Sequence, residues 1–238
     1  MENFANRDCG RVEIRVLETM KLFLDAPWCN VTTFSMTGDS AYANKRGAKA
    51  IAFPNPMEST LKIEAQVVPF KLFALFSDGT IKSDAIWPFS ETVKSTDASK
   101  ITMTTENVVA GTVCVYAATD TGFETPLTVT VAGKEVSGTF TAATDYVIRG
   151  LKTISDNVQR IEFNNSKEVS DYFITVETTD KGESGRKIPK LLTAYKATPK
   201  RNFELAQNST GDPVTISVEF DCLEDKDGHQ LDMAQITA

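Results

Sequence analysis

The segment Val214 to Cys222 alternates without a break. Val214, Ile216, Val218, Phe220 and Cys222 fall on one side, and Thr215, Ser217, Glu219 and Asp221 on the other. Successive side chains of a strand point to opposite faces, so this pattern describes a strand with one covered and one open face. Leu61, Ile63, Ala65 and Val67 alternate in the same way with Lys62, Glu64 and Gln66, and so do Val12, Ile14 and Val16 with Arg11, Glu13 and Arg15. A chain with several such segments must build a sheet and bury one side of it. Enrichment in Thr, Val, Ile and aromatic residues predicts further strands near 29 to 36, 80 to 93, 112 to 118, 126 to 132, 136 to 141, 144 to 148, 171 to 179 and 188 to 195. The fold class is mainly β.

One segment departs from the period of two. Pro69 opens Phe70-Lys71-Leu72-Phe73-Ala74-Leu75-Phe76, and Gly79 follows it, the asymmetry expected of a helix. The reading is one short helix of about two turns with Phe70, Phe73 and Ala74 toward the sheet. Ala132-Gly133-Lys134 predicts a hairpin, and Asp225-Lys226-Asp227-Gly228 the turn between the last two strands. Two connections are long and polar, Thr37 to Lys49 (with Lys45, Arg46 and Lys49) and Thr179 to Lys187, and both are candidate contact arms. The chain is read as a single domain over residues 1–238. Its Thr-rich middle, about 111–150, is read as a β-hairpin insertion against a core built from both ends.

The 238 residues carry 25 Lys and Arg against 32 Asp and Glu, a formal net charge of −7, which disfavours nucleic-acid binding through a basic face. No stretch approaches the roughly 18 apolar residues of a membrane span. The opening MENFANRDCGR lacks the basic start and apolar run of a secretory signal, so synthesis and retention in a cytoplasm is expected. Cys9, Cys29, Cys114 and Cys222 form no CxxC pair and read as free thiols, and the Asn-x-Ser/Thr triplets at Asn30, Asn164 and Asn208 read as chance matches.

Catalytic signals are missing. His229 is the sole histidine and follows an exposed turn. Gly38-Asp39-Ser40-Ala41-Tyr42 lacks the second glycine of a nucleophile elbow, and neither a phosphate loop nor GxGxxG occurs. Leu223 to Gly228 has acids at calcium-loop spacing but Leu223 and Ala234 where the first and last ligands belong, so a hairpin turn is the better reading. Asp212, Asp221, Asp225 and Asp227 would surround a cation only if their loops meet. The expectation is therefore no enzyme, no cofactor and no metal.

The C-terminal order is Ala194-Tyr195-Lys196-Ala197-Thr198-Pro199, Phe203-Glu204-Leu205-Ala206, Gly211-Asp212-Pro213, the alternating strand, then Asp225-Lys226-Asp227-Gly228 and a last short strand. The N-terminal order is an opening strand within Val12 to Asp25, a long polar loop, Lys49 to Phe53, the strand Leu61 to Val67 and a helix ending at Asp78-Gly79. Together these resemble bacteriophage tail tube (major tail) proteins over about half of the chain, at both ends.

The resemblance implies a β-sandwich or half-barrel with one short flanking helix, closing into a β-barrel tube on oligomerisation. Homo-oligomeric rings, expected to be hexameric, would stack into the tube of a virion tail. Sheath, baseplate or terminator proteins are the expected partners, and DNA would pass during ejection without specific binding. The residues expected to line the lumen are Glu64, Thr215, Ser217, Glu219 and Asp221, an acidic face that repels phosphate. The loop Thr37 to Lys49 would be an inter-ring arm, with Lys45, Arg46 and Lys49 meeting acids across the interface. The insertion over about 111–150 would decorate the outer wall. The alternatives are another β-sandwich virion decoration protein, or a carbohydrate-binding module with Trp28 and Trp87 as its platform.

Overall fold

The computed structural model describes residues 3–206, 211 and 213–236. Strands β1 to β7 are Phe4–Asn6, Arg11–Val16, Leu22–Ala26, Val31–Thr37, Ser40–Lys45, Ala48–Pro54 and Glu58–Ala65. Strands β8 to β13 are Ala85–Lys94, Lys100–Thr102, Cys114–Ala117, Val129–Ala132, Glu135–Gly138 and Asp145–Ile154, and β14 to β17 are Tyr172–Gly182, Lys187–Pro199, Ile216–Leu223 and Leu231–Gln235. The chain is mainly β, and its sheets are not closed into a barrel. It divides into two compact units, one made of Met1–Thr80 with Ile161–Ala238 and the other of Ile81–Arg160. The segment that interrupts the first unit thus runs wider than the 111–150 read from composition.

The first unit is organised by a nine-stranded antiparallel sheet in the order β3-β2-β14-β15-β16-β7-β4, with β1 added to β14 and β17 added to β15. The alternating segments of the sequence lie in its centre. Ile216, Val218, Phe220 and Cys222 of β16 stand on the same buried face as Leu61, Ile63 and Ala65 of β7, and Val12, Ile14, Tyr172, Ile174 and Val176 continue that face. Apolar burial of this extent is what holds the sheet, at about 25 cal/mol for each Å² removed from water.

The helical segment is a 3-10 helix, Phe70–Phe76, and it buries Leu72, Ala74, Leu75 and Phe76 instead of Phe70 and Phe73. With three residues per turn, positions i and i+3 eclipse, so Leu72 and Leu75 share one buried ridge. Phe203 stacks on Phe76 at 4.6 Å and lies 5.9 Å from Phe73 and 5.4 Å from Phe163, fixing the segment from the other end of the chain.

Both connections expected to be loops contain regular structure. Thr179 to Lys187 is the end of the long β14–β15 hairpin, whose paired strands run to Lys181 opposite Lys187. The cause is a buried polar cluster. Asp180 is fully buried, its carboxylate accepts bonds from Lys190 Nζ (2.7 Å) and Asn6 Nδ2 (2.7 Å), and Asn6 also donates to Thr178 Oγ1 at 3.0 Å. Burial alone would raise the Asp180 pKa, but the bonds from Lys190 and Asn6 outweigh it and hold the carboxyl below its ordinary value. Asp225 to Gly228 does link the last two strands, yet these do not form a hairpin. β16 and β17 pair with different stretches of β15, at Lys196–Pro199 and Lys190–Ala194 respectively.

The second unit packs two three-stranded sheets, β10-β13-β8 and β11-β12-β9, around one core. Phe89, Val115, Tyr146 and Ile148 come from the first sheet, Ile101 and Val136 from the second, and Met103 and Phe140 from the ends of its strands. Lys82 and Arg160, at its two chain ends, bridge each other through paired backbone hydrogen bonds of 2.8 and 2.9 Å.

Candidate functional site

Opposite β16 and β7 pairs place Ser217 against Glu64, Glu219 against Lys62 and Asp221 against Thr60. Four of the five residues expected to line one surface, Glu64, Ser217, Glu219 and Asp221, therefore share the polar face of the nine-stranded sheet, all half-buried. Thr215 is exposed and precedes β16, so it is not carried by the ladder.

That face is not plainly acidic. Lys62 pairs with Glu64, and Lys200 pairs with Glu219 and, at 3.1 Å, with Asp221. The bonds from Glu219 and then Asp221 raise the Lys200 pKa. Toward the other edge, Arg11 grips Asp25 through two bonds of 2.9 and 2.6 Å, which pulls the Asp25 carboxyl below its ordinary range, and Arg15 meets Glu13 at 2.9 Å. Lys196 stands 3.5 Å from Asp171. The polar face is thus a lattice of alternating charges. The acids were legible from alternation, and Lys62 sits in the same alternation as Glu64. Lys200 follows β15, and its pairing depends on how β15 lies against β16.

The second surface is the connection after β4. Thr37 to Lys49 is not a loop. It enters a two-stranded sheet of its own, β5 with β6, turning at Arg46 and Gly47, whose φ angles of 52° and 84° are those of a tight hairpin turn. Lys45 and Arg46 stand at the tip, and Lys49 lies opposite Asn44 with its ammonium 3.8 Å over the Tyr42 ring. Every residue from Ala41 to Pro54 is exposed. The pairs Ala43 with Ile51 and Ala41 with Phe53 give this arm an apolar stretch on the face that ends in Lys45 at the tip, a feature not read from the sequence.

The remaining candidates are dispersed. Asp212 lies outside the described residues, and Asp221 belongs to the polar face. Asp225, Asp227 and His229 do come together, with one ligand atom from each within 4.8 Å of the others. The Asp225 carboxylate already accepts the backbone N–H groups of Asp227 (2.9 Å) and His229 (2.8 Å), and the bond from His229 is the main cause holding its pKa below the ordinary value. This is the construction of a turn. Trp28 is half-buried in the first unit, and Trp87 is exposed in the second. Cys29 and Cys222 are buried, and burial pushes their thiols up to about 12 and about 11, so neither is a ready nucleophile. No helix among the described residues is long and apolar enough to cross a membrane.

The first unit thus presents an open sheet that ends in two edge strands and carries an extra exposed hairpin. The chain belongs to the YomU/Tube protein family, whose model it matches over residues 13–236, and it is accordingly a phage tube-like structural protein of the kind found in virion tails. No curated protein matches the chain.

Proposed function

We propose that this protein is the subunit of a phage tail tube, assembling into stacked rings that form the conduit for DNA ejection. The observation that carries the reading is the open sheet itself. Its path ends in β3 and β4, which among the described residues pair with no further strand on their outer sides, and Leu22, Val31 and Met36 are exposed on them. Such edges are liabilities in a lone subunit and disappear when neighbours pair them around a ring. The family resemblance of the sequence gives six subunits per ring. Other tail proteins, such as sheath, baseplate or terminator, are its partners, and the subunit is made in the host cytoplasm.

The polar face, with Glu64, Ser217, Glu219 and Asp221, then lines the lumen, with Thr215 at its margin. Its cations are held by carboxylates, so DNA slides past without the release of counterions that would bind it. The arm bearing Lys45, Arg46 and Lys49 reaches the adjacent ring. Nothing in this role needs catalysis, a cofactor or a metal. Negative-stain electron microscopy of the purified protein, fresh and after concentration, tests it. Hollow rings or tubes of uniform width are expected. Dispersed particles at every concentration would overturn the reading in favour of a decoration protein or binding module.

A further inference from the structure

The arm and the surface at its own root are complementary, and they cannot meet within one subunit. Residues 40–57 contain Lys45, Arg46 and Lys49 and no acid. The apolar side of the arm exposes Ile51 (57 %) and Phe53 (55 %), an arrangement that water does not favour in a hairpin with no third strand. At the root lies a cleft of about 640 Å³, lined by Met36, Met57 and Leu231 with Glu224, His229 and Asp232. Asp225 and Asp227 stand in the turn beside it, with Lys226 as the one cation between Glu224 and Asp232. The root thus offers apolar side chains with acids beside them, and the arm offers apolar side chains along its length and a cationic tip.

Length decides where these two surfaces meet. β6 has seven residues, which at about 3.3 Å each puts the tip roughly 20 Å from the cleft. A paired hairpin does not fold back on itself over that distance. We infer that the root cleft is the receptor for the arm tip of a second copy of this chain. Donor and acceptor sit at opposite ends of one element, so the contact is head-to-tail, and between stacked rings it repeats from each ring to the next. The inference rests on the tube reading and names the acceptor that the reading leaves open.

A charge swap tests it. Lys45→Glu with Arg46→Glu reverses the tip, and Glu224→Lys with Asp227→Lys reverses the rim while leaving Asp225 to build the turn. All four substituted residues are exposed and the half-buried Asp225 is left in place, so both variants should keep the thermal unfolding midpoint of the parent. Each alone is expected to lose elongated particles by about tenfold or more, because like charges then face each other. An equimolar mixture is expected to elongate again, since reversed tips fit reversed rims and native tips fit native rims in alternating layers. Carbodiimide coupling of polymers made from equal parts of ¹⁵N-labelled and unlabelled chain should join Lys45 or Lys49 of one copy to Glu224, Asp227 or Asp232 of another. Variants that each elongate alone, a mixture that stays short, or cross-links that leave the arm on other acids would overturn the inference and leave the tube standing. A parent chain that forms neither rings nor tubes would overturn both.

Discussion

Asp180 is a carboxylate that the first unit cannot release cheaply. It is fully buried between Lys190 and Asn6, and its folded-state pKa is depressed. A depressed carboxyl stabilises the fold above its unfolded pKa, near 4, and that contribution is lost as pH falls through the lower folded value. Asp180→Ala leaves the largely buried Lys190 ammonium without its partner, so we expect a loss of about 3 kcal/mol in urea unfolding at pH 7 and a shallower decline on acidification. On the polar face the consequence of removing acids is functional. Glu219→Gln with Asp221→Asn frees Lys200 while keeping side-chain shape. Tubes of this variant should retain double-stranded DNA in filter binding, with retention falling as salt rises, whereas parent tubes should not. The acids on this face were readable because they alternate with buried residues. Lys200 was not, because no local pattern states which strand its own will lie against.

The arm shows why some elements escape a reading by period. Ser40 to Pro54 contains five alanines, whose small side chains contrast weakly with the polar positions around them, so the alternation that marked β16 and β7 has little amplitude here. The turn at Arg46-Gly47 is set by two positive φ angles. Gly47→Val forces a β-branched residue into φ 84° and should cost the turn about 1–2 kcal/mol. Since β5 and β6 pair only with each other, the loss should stay local. Amides of residues 40–54 should exchange faster and tube formation should fall, while the thermal midpoint of the first unit is unchanged. Gly10 provides the contrast. A Cβ there would lie 2.4 Å from Val176 Cγ1 and 2.9 Å from the Glu177 backbone oxygen, so Gly10→Ala should lower the midpoint by pushing β2 off β14. The helical segment was found in its place and with Ala74 inward as read, but Leu72, Leu75 and Phe76 are buried in place of Phe70 and Phe73.

At the scale of the whole chain, both ends supply the large sheet and the middle supplies a separate core. The sequence pattern conveyed the first point through three amphipathic strands at residues 11–16, 58–65 and 216–223. It conveyed the second only as a change in composition, since the bounds of an inserted unit are set by which strands pair. Each unit has its own buried set, so the larger one should not need the smaller in order to fold. Replacing Ile81 to Arg160 by a short Gly-Ser linker should give a protein with a cooperative unfolding transition that still forms rings in negative stain. A molten or insoluble product would show that the two cores are interdependent.

The bridge between Lys82 and Arg160 has a consequence for what this chain tolerates. The strands that leave and re-enter the larger unit are hydrogen-bonded to each other there, and facing residues in such a pair lie about 5 Å apart. The two points at which the chain passes between the units are thus already held together. Any domain whose termini are that close could be spliced in at the same point with little entropic cost to the host, which makes residues 82 and 160 the natural boundaries for displaying foreign cargo at one copy per subunit.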